Sequence, residues 1–321
     1  MSDFQRTPIL LPETNGQNRE DRRDGRTERD FTERISKRII SSNLLKKIIV
    51  PLDKFLNRCF GKPPMRRLKI FLNGTWAGHP LHPALTDIPI GAWTLAIVLD
   101  LIGLLFKLPQ LGVASSIVIG VGVAGALSAA AAGLMDWMDV DPPEKAIGAF
   151  HATVNVSATL LFLASFLIRW GQHWQPGWGA FAVALAGYML VMLGGYLGGI
   201  MVFHMGVMIN RNAYRSGPDD YTPAVASGDL GEGELKRLTI QEQPILLVKV
   251  DGKIHALGAV CSHYGAPLNE GTVVGRTIEC PWHSSRFSLE DGRVVQGPAC
   301  AAIPAYDCRI TNNQVQIKVR R

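Results

Sequence analysis

Four long apolar runs fill the middle of the chain, over residues 87–106, 111–134, 149–170 and 178–203. Each has the roughly 20 residues a helix needs to cross a bilayer. The connections Lys107 to Gln110 and Gly171 to Gly177 are short, so successive helices should be antiparallel neighbours. In the fourth run, Gly194 with Gly198 and Gly195 with Gly199 make two overlapping small-xxx-small pairs, which let a neighbouring backbone approach closely. The pattern predicts a four-helix transmembrane domain over residues 76–210. Residues 1–33 mix both charge signs with almost no apolar content and read as a disordered tail. Over residues 34–75, Ile35, Ile39, Ile40, Leu44, Leu45, Ile48, Ile49 and Leu52 recur at helical spacing, with Lys37, Arg38, Lys46 and Lys47 between them. That segment is expected to be a basic amphipathic helix lying on an anionic membrane surface; the alternative is a helix packed on another part of the chain.

After the last apolar run, residues 211–223 form a polar, Gly- and Pro-containing linker, long enough to let the C-terminal region reorient. Residues 224–321 then change period. Short alternating runs appear at Leu235 to Ile240, Ile245 to Val250, Ile254 to Val260 and Gln314 to Val319, with Asp251-Gly252 as a hairpin signal between two of them. The expected fold class is therefore multi-domain: an α-helical transmembrane four-helix bundle with an all-β domain after it.

Composition supports the membrane reading, with 47% hydrophobic residues and a mean hydropathy of +0.13. The formal charge of +6 comes from basic residues concentrated ahead of the first apolar run, and no nucleic-acid module is visible in it. Arg211 and Arg215 lie just after the last run, whereas the two short loops on the other face have only Lys107 and Arg169 near them. The positive-inside rule then places the N-terminus and the β domain in the cytoplasm, in an integral protein of the inner or plasma membrane. Five cysteines do not form an even disulfide framework, and the first apolar run, Ile9 to Leu11, is too short for a signal peptide; both readings point to a reducing compartment.

The chemistry sits in CSHYGAPLNEGTVVGRTIECPWHSSRF. Cys261 and His263 form C-x-H, and Cys280 and His283 form C-x-x-H, the ligand set of a two-iron cluster with two cysteines on one iron and two histidines on the other. Zinc also takes two Cys and two His, but these are not the usual finger spacings, and a merely buried pair is the blander alternative. From about Tyr221 to its end the chain resembles a Rieske [2Fe-2S] domain. The resemblance implies Cys261, His263, Cys280 and His283 as cluster ligands, and a proline loop over the cluster at residues 296–299 (QGPA). Gly265 and Trp282 stand where the Rieske proteins of quinol-cytochrome complexes carry a disulfide, so the resemblance is to the disulfide-free ferredoxin type. Ser285 stands where high-potential relatives have a hydroxyl donor to sulfur, Phe287 stands where they have a Tyr, and Ser284 replaces the usual Gly. The missing hydroxyl implies a potential toward the lower part of the range of about −150 to +300 mV.

The run HPLHPALTDIPIGAWTLA, with GLMDW at Gly133 to Trp137, resembles DUF2231, a four-helix membrane family of unknown function. Even topology would gather His79, His82, Asp87, Asp136, Asp139, His151 and His204 at the cytoplasmic face. Three readings compete for these histidines: axial ligands of haem b, with His151 and His204 as the pair, a quinone or proton site, or caps on helix ends. Asp100, inside the first apolar run, is a functional-site candidate as an intramembrane carboxylate. The expected function is a membrane-anchored Rieske protein carrying single electrons, with a quinol/quinone oxidoreductase or a redox sensor as alternatives. Its partners would be the lipid bilayer and redox proteins or the quinone pool. Whether it is an enzyme or a carrier stays open.

Overall fold

In the computed structural model, which describes residues 24–320 apart from 143 and 176, a helical region precedes a β region. The four apolar runs become helices α4 (Leu81–Leu105), α5 (Gln110–Met138), α6 (Glu144–Gly171) and α7 (Trp178–Gly199). All four are long and apolar enough to cross a membrane, the last counted to His204. They form two tight antiparallel hairpins, α4 with α5 and α6 with α7. Glycine permits the closeness: a Cβ at Gly125 would fall 2.6 Å from Ile88 Cγ2, and one at Gly187 3.0 Å from Phe162 Cδ2. The Trp93 and Phe162 rings stack across the bundle, centres 4.1 Å apart. Outward-facing Ile117, Leu127, Leu160 and Leu167 stay more than half exposed, an apolar belt that suits lipid.

The segment before the bundle differs from a single surface helix. Residues 1–23, most of the expected tail, lie outside the described residues, and helix α1 (Asp24–Ser41) starts well ahead of residue 34. Ser42 breaks the run with extended backbone and caps α2 (Asn43–Phe60), and α3 (Met65–Asn73) comes next. Instead of lying free, α1 and α2 pack on α6, and α3 packs on α5. Ile39, Ile49 and Leu56 are buried with Met135, Trp137, Ile147, Val154 and Leu197, at about 2 kcal/mol per fully buried aliphatic side chain. Two ion pairs fix the arrangement, Lys145 Nζ to Asp53 Oδ1 and Lys69 Nζ to Asp139 Oδ1, each 2.5 Å. Leu44, Ile48 and Phe55 remain more than half exposed on the opposite side.

The β region holds a six-stranded sheet in the order β1-β10-β9-β4-β3-β2 and a four-stranded sheet β5-β6-β7-β8. The strands are β1 (Thr222–Ala226), β2 (Leu235–Ile240), β3 (Gln243–Val250), β4 (Lys253–Gly258), β5 (Thr272–Val274), β6 (Thr277–Glu279), β7 (Arg286–Ser288), β8 (Val294–Gln296), β9 (Ala305–Thr311) and β10 (Gln314–Val319). Asp251 and Gly252 both have positive φ, 55° and 74°, the two-residue turn the hairpin signal requires.

The segment between the two regions is stapled down. Asn212 Nδ2 donates to Val260 O at 2.8 Å, Tyr306 Oη donates to Ser216 O at 2.8 Å, and Val319 N donates to Pro218 O at 2.8 Å. Cys300 Sγ also reaches Asn73 O, at the end of α3, at 3.4 Å. The expected freedom to reorient is thus countered by direct contact between the β region and the helices.

Candidate metal centre

Two loops at one end of the small sheet carry the four candidate ligands, and their backbones repeat one another. In the first, Cys261 N donates to Ala266 O at 2.9 Å and Gly265 N to Cys261 O at 3.0 Å. In the second, Cys280 N donates to Ser285 O at 2.8 Å and Ser284 N to Cys280 O at 3.1 Å. The residue four places after each cysteine has positive φ, 81° at Gly265 and 56° at Ser284. The serine accepts a conformation that costs an L-residue about 1–2 kcal/mol, and Gln296 Nε2 holds it by donating to its carbonyl at 3.1 Å. Ala299 N, in the QGPA segment, donates to Ser285 Oγ at 3.0 Å, so that segment does cover the second loop. Beneath the loops, Phe287, Leu268, Ile278 and Leu246 are fully buried.

The side chains converge. His263 Nδ1 and His283 Nδ1 stand 3.2 Å apart. Two nitrogens bonded to one metal at about 2.1 Å and a near-tetrahedral angle would be about 3.4 Å apart, so the pair fits a single ion. The thiols of Cys261 and Cys280 share a hydrogen bond: it and burial push the Cys261 thiol up, and the same bond draws the Cys280 thiol down to about 7, helped by the N–H groups of Trp282 and His283. That favours thiolate at the pair, the form a metal takes. Burial holds both imidazoles below their usual range, most strongly at His263, and neutral imidazole is the ligating form.

Sequence reasoning missed what surrounds the histidine edge. It faces the helices: the charges of Asp139, Asp141, Lys69 and Lys145 act on His283, and that of Lys69 on His263. The Tyr264 ring meets both histidine rings edge-on, centres 4.6 and 5.6 Å away. Its hydroxyl is pushed up by burial and then by Asp136, Asp139, Asp141 and Glu144. His263 Nε2, Tyr264 Oη, Asn73 Oδ1 and Asp136 Oδ2 are buried without a hydrogen-bond partner among the described residues. No sequence period links α3 and the α5–α6 turn to residues some 130 to 200 places later, so no signal was there to read.

Of the histidines expected together at this end, the structure pairs His82 with His151, ring centres 6.2 Å apart. His79 and His204 are exposed, as is Asp87, so the His151–His204 pair that the haem reading named is not formed, and His151 faces His82 instead. His204 ends a π-helical turn, Ile200–His204, that turns it away. Asp136 bonds Asn73 and Asp139 pairs with Lys69. Asp100 does not stand alone in the membrane region: it is fully buried against Arg169.

Comparison with known proteins identifies both regions of the chain. Residues 220–307 match the Rieske [2Fe-2S] domain, and residues 78–211 match a predicted membrane protein family, DUF2231. The ferredoxin component of the naphthalene 1,2-dioxygenase system of Pseudomonas putida is 35% identical over 94 residues, 29% of this chain and 90% of that protein. Apoptosis-inducing factor 3 of Homo sapiens is 31% identical over 93 residues, 29% of this chain and only 15% of that protein. Among solved structures, the ferredoxin of carbazole 1,9a-dioxygenase from Nocardioides aromaticivorans is 22% identical, covering 31% of this chain and 98% of its own, with a TM-score of 0.30. The Rieske domain implies a [2Fe-2S] cluster, and two thiols and two imidazoles that converge in one place are the donor set such a cluster requires. The chain belongs to the Rieske [2Fe-2S] family, and it carries that domain behind a DUF2231 membrane region.

Proposed function

We propose that the chain is a membrane-anchored one-electron carrier, with Cys261 and Cys280 on one iron of the cluster and His263 and His283 on the other. The observation that carries the reading is the 3.2 Å approach of the two Nδ1 atoms beside a hydrogen-bonded thiol pair. When bound, the cluster supplies one-electron chemistry at its histidine-ligated iron. The chain's own contribution is to hold the Cys280 thiol ready to lose its proton through the shared hydrogen bond with Cys261, keep the imidazoles neutral and exclude water with the apolar layer under the loops. The four long helices anchor it in the bilayer, and the charge asymmetry favours a cytoplasmic N-terminus and Rieske domain. Redox proteins are the partners that the ferredoxin-like relatives point to. A quinone acting from the membrane side is the second reading, favoured by a histidine edge that faces the helices and by the unpartnered buried polar atoms there.

The test is electron paramagnetic resonance of the dithionite-reduced full chain in mild detergent, with iron and sulfide analysis. A rhombic two-iron signal, abolished by Cys261→Ala or His263→Ala, is expected. His283→Cys should retain a two-iron cluster at a lower potential, since a thiolate replaces a neutral donor. A silent sample that contains zinc would overturn the assignment.

A further inference from the structure

Within the membrane bundle, two histidines are held as a facing pair with no task in the cluster. His82 is the second residue of α4, and His151 lies two turns into α6. Each is pinned inside its own hairpin: His82 Nδ1 to Ala129 O of α5 at 2.9 Å, and His151 Nδ1 to Gly194 O of α7 at 2.9 Å. A carbonyl only accepts, so both Nδ1 atoms carry the proton and both Nε2 atoms keep a lone pair. Backbone carbonyls on the second nitrogen are the usual orienting partners of a metal-bound imidazole. Asn155 Nδ2 lies 3.3 Å from His151 Nε2, but its shorter bond, 2.8 Å, goes to His151 O.

The spacing selects the occupant. A metal about 2 Å from one nitrogen of each ring, on opposite sides, sets the ring centres about 6.4 Å apart, and the observed separation is 6.2 Å. The cluster histidines, side by side at one candidate ion, have centres 5.1 Å apart. A quinone bonded through both carbonyls at about 2.8 Å would hold the ring nitrogens roughly 10 Å apart, too far for this pair. Donor number narrows the choice further. The recorded contacts of this pair, among the described residues, are backbone carbonyls, Asn155 and each other, with no third His, Cys, Asp or Glu, whereas structural zinc takes four protein ligands and catalytic zinc three. A porphyrin brings four nitrogens of its own and asks the protein for two axial ones.

Glycines flank both rings. A Cβ at Gly133 would fall 2.7 Å from His82 Nδ1, and one at Gly198 3.4 Å from His151 Cε1; at Gly194 it would meet Asn155 Oδ1 at 2.5 Å. Side chains at these positions would push the rings out of line. We infer that His82 and His151 are the two axial ligands of a b-type haem held between the α4–α5 and α6–α7 hairpins. The inference deepens the carrier reading and rests on it, for it gives the cluster a one-electron partner in the same chain. Gly133 is three residues from Asp136, about 4.5 Å along α5, and Asp136 bonds Asn73 of α3, on which the cluster domain docks.

The full chain, produced in a haem-replete host and purified in mild detergent, should show a pyridine haemochrome of b type at one haem per chain. Ring planes at 88° predict a strongly anisotropic low-spin ferric resonance, a signature of crossed imidazoles that a merely structural pair would not give. His82→Ala and His151→Ala should each remove the haem bands and leave the two-iron signal; His204→Ala should leave both. His82→Met should keep haem with an altered ferric spectrum, which separates lost ligation from misfolding. A chain with its two-iron signal but no haem, or with copper in its place, overturns the inference and leaves the carrier reading standing. Haem that survives His82→Ala overturns the ligand assignment, and haem without any two-iron signal would mean that the carrier reading had failed instead.

Discussion

Arg169 is 1% exposed in the apolar bundle, and its guanidinium meets Asp100 through two bonds of 2.7 and 2.5 Å. Its Nε donates to Ser165 Oγ at 3.2 Å, and that hydroxyl donates to Ala180 O of α7 at 2.7 Å. The carboxylate that stood out in the sequence is thus half of a staple joining α4, α6 and α7. Arg169→Met alone should destabilise the detergent-solubilised chain by about 3–5 kcal/mol, because it strands a buried charge. Asp100→Leu with Arg169→Met should recover most of that, as read by thermal unfolding; equal losses in the single and double variants would disprove the staple. At the cluster loops, Phe287 is fully buried where a hydroxyl would raise the potential. Phe287→Tyr should shift the midpoint upward in a redox titration and Ser285→Ala should shift it down, since hydrogen bonds to sulfur favour the reduced state.

Elements with a clear period were legible and those without were not. The four long apolar helices announce themselves by length, although two of them start earlier than the apolar runs do: Leu81 to Thr86 and Glu144 to Gly148 are too polar or Pro-rich to join an apolar run, yet pack as helix. The strand β2 and the Asp251-Gly252 turn came from alternation, but β5, β6 and β7 have three residues each, too few to show a period of two. The four candidate ligands were readable because two short spacings carry them. The pairing of His82 with His151 was not, because it depends on which helices are neighbours. Over residues 34–75 the apolar spacing shows helix but not what covers it. Leu56, buried against the bundle, and Leu44, 70% exposed, look alike in sequence. Leu56→Ala should cost about 2–4 kcal/mol, while Leu44→Ala should stay within about 0.5 kcal/mol and instead weaken binding of α2 to anionic vesicles. Equal stability losses would mean that both faces are packed.

For the molecule as a whole, the question is whether the cluster domain stays on the helices. In a soluble ferredoxin a partner protein must reach the histidine edge; here that edge faces α3 and the α5–α6 turn, within the field of Lys69, Asp139, Asp141 and Lys145. Contact at the rim is close enough that a Cβ added at Gly297 would overlap Thr75 Oγ1. Cys300 reports on the same rim: it reaches Asn73 O, and burial, with the nearby Asp136 second, pushes its thiol up to about 11. A thiol raised by burial reacts slowly with maleimide at neutral pH and regains reactivity as it is exposed. Thr75→Arg places a long cation in this contact without touching the cluster loops. In a Cys59→Ser, Cys308→Ser background it should speed maleimide labelling of Cys300 by about tenfold, the ratio that about 1.4 kcal/mol of lost docking energy produces. Trypsin cleavage at Arg211 and Arg215 should rise with it, and the two-iron signal should persist. Faster reduction by a soluble donor should accompany both changes, because undocking uncovers the histidine edge. If labelling and reduction are unchanged while Thr75→Arg folds normally, the docked arrangement is not what limits access, and electrons enter the cluster by a route that the helices do not cover.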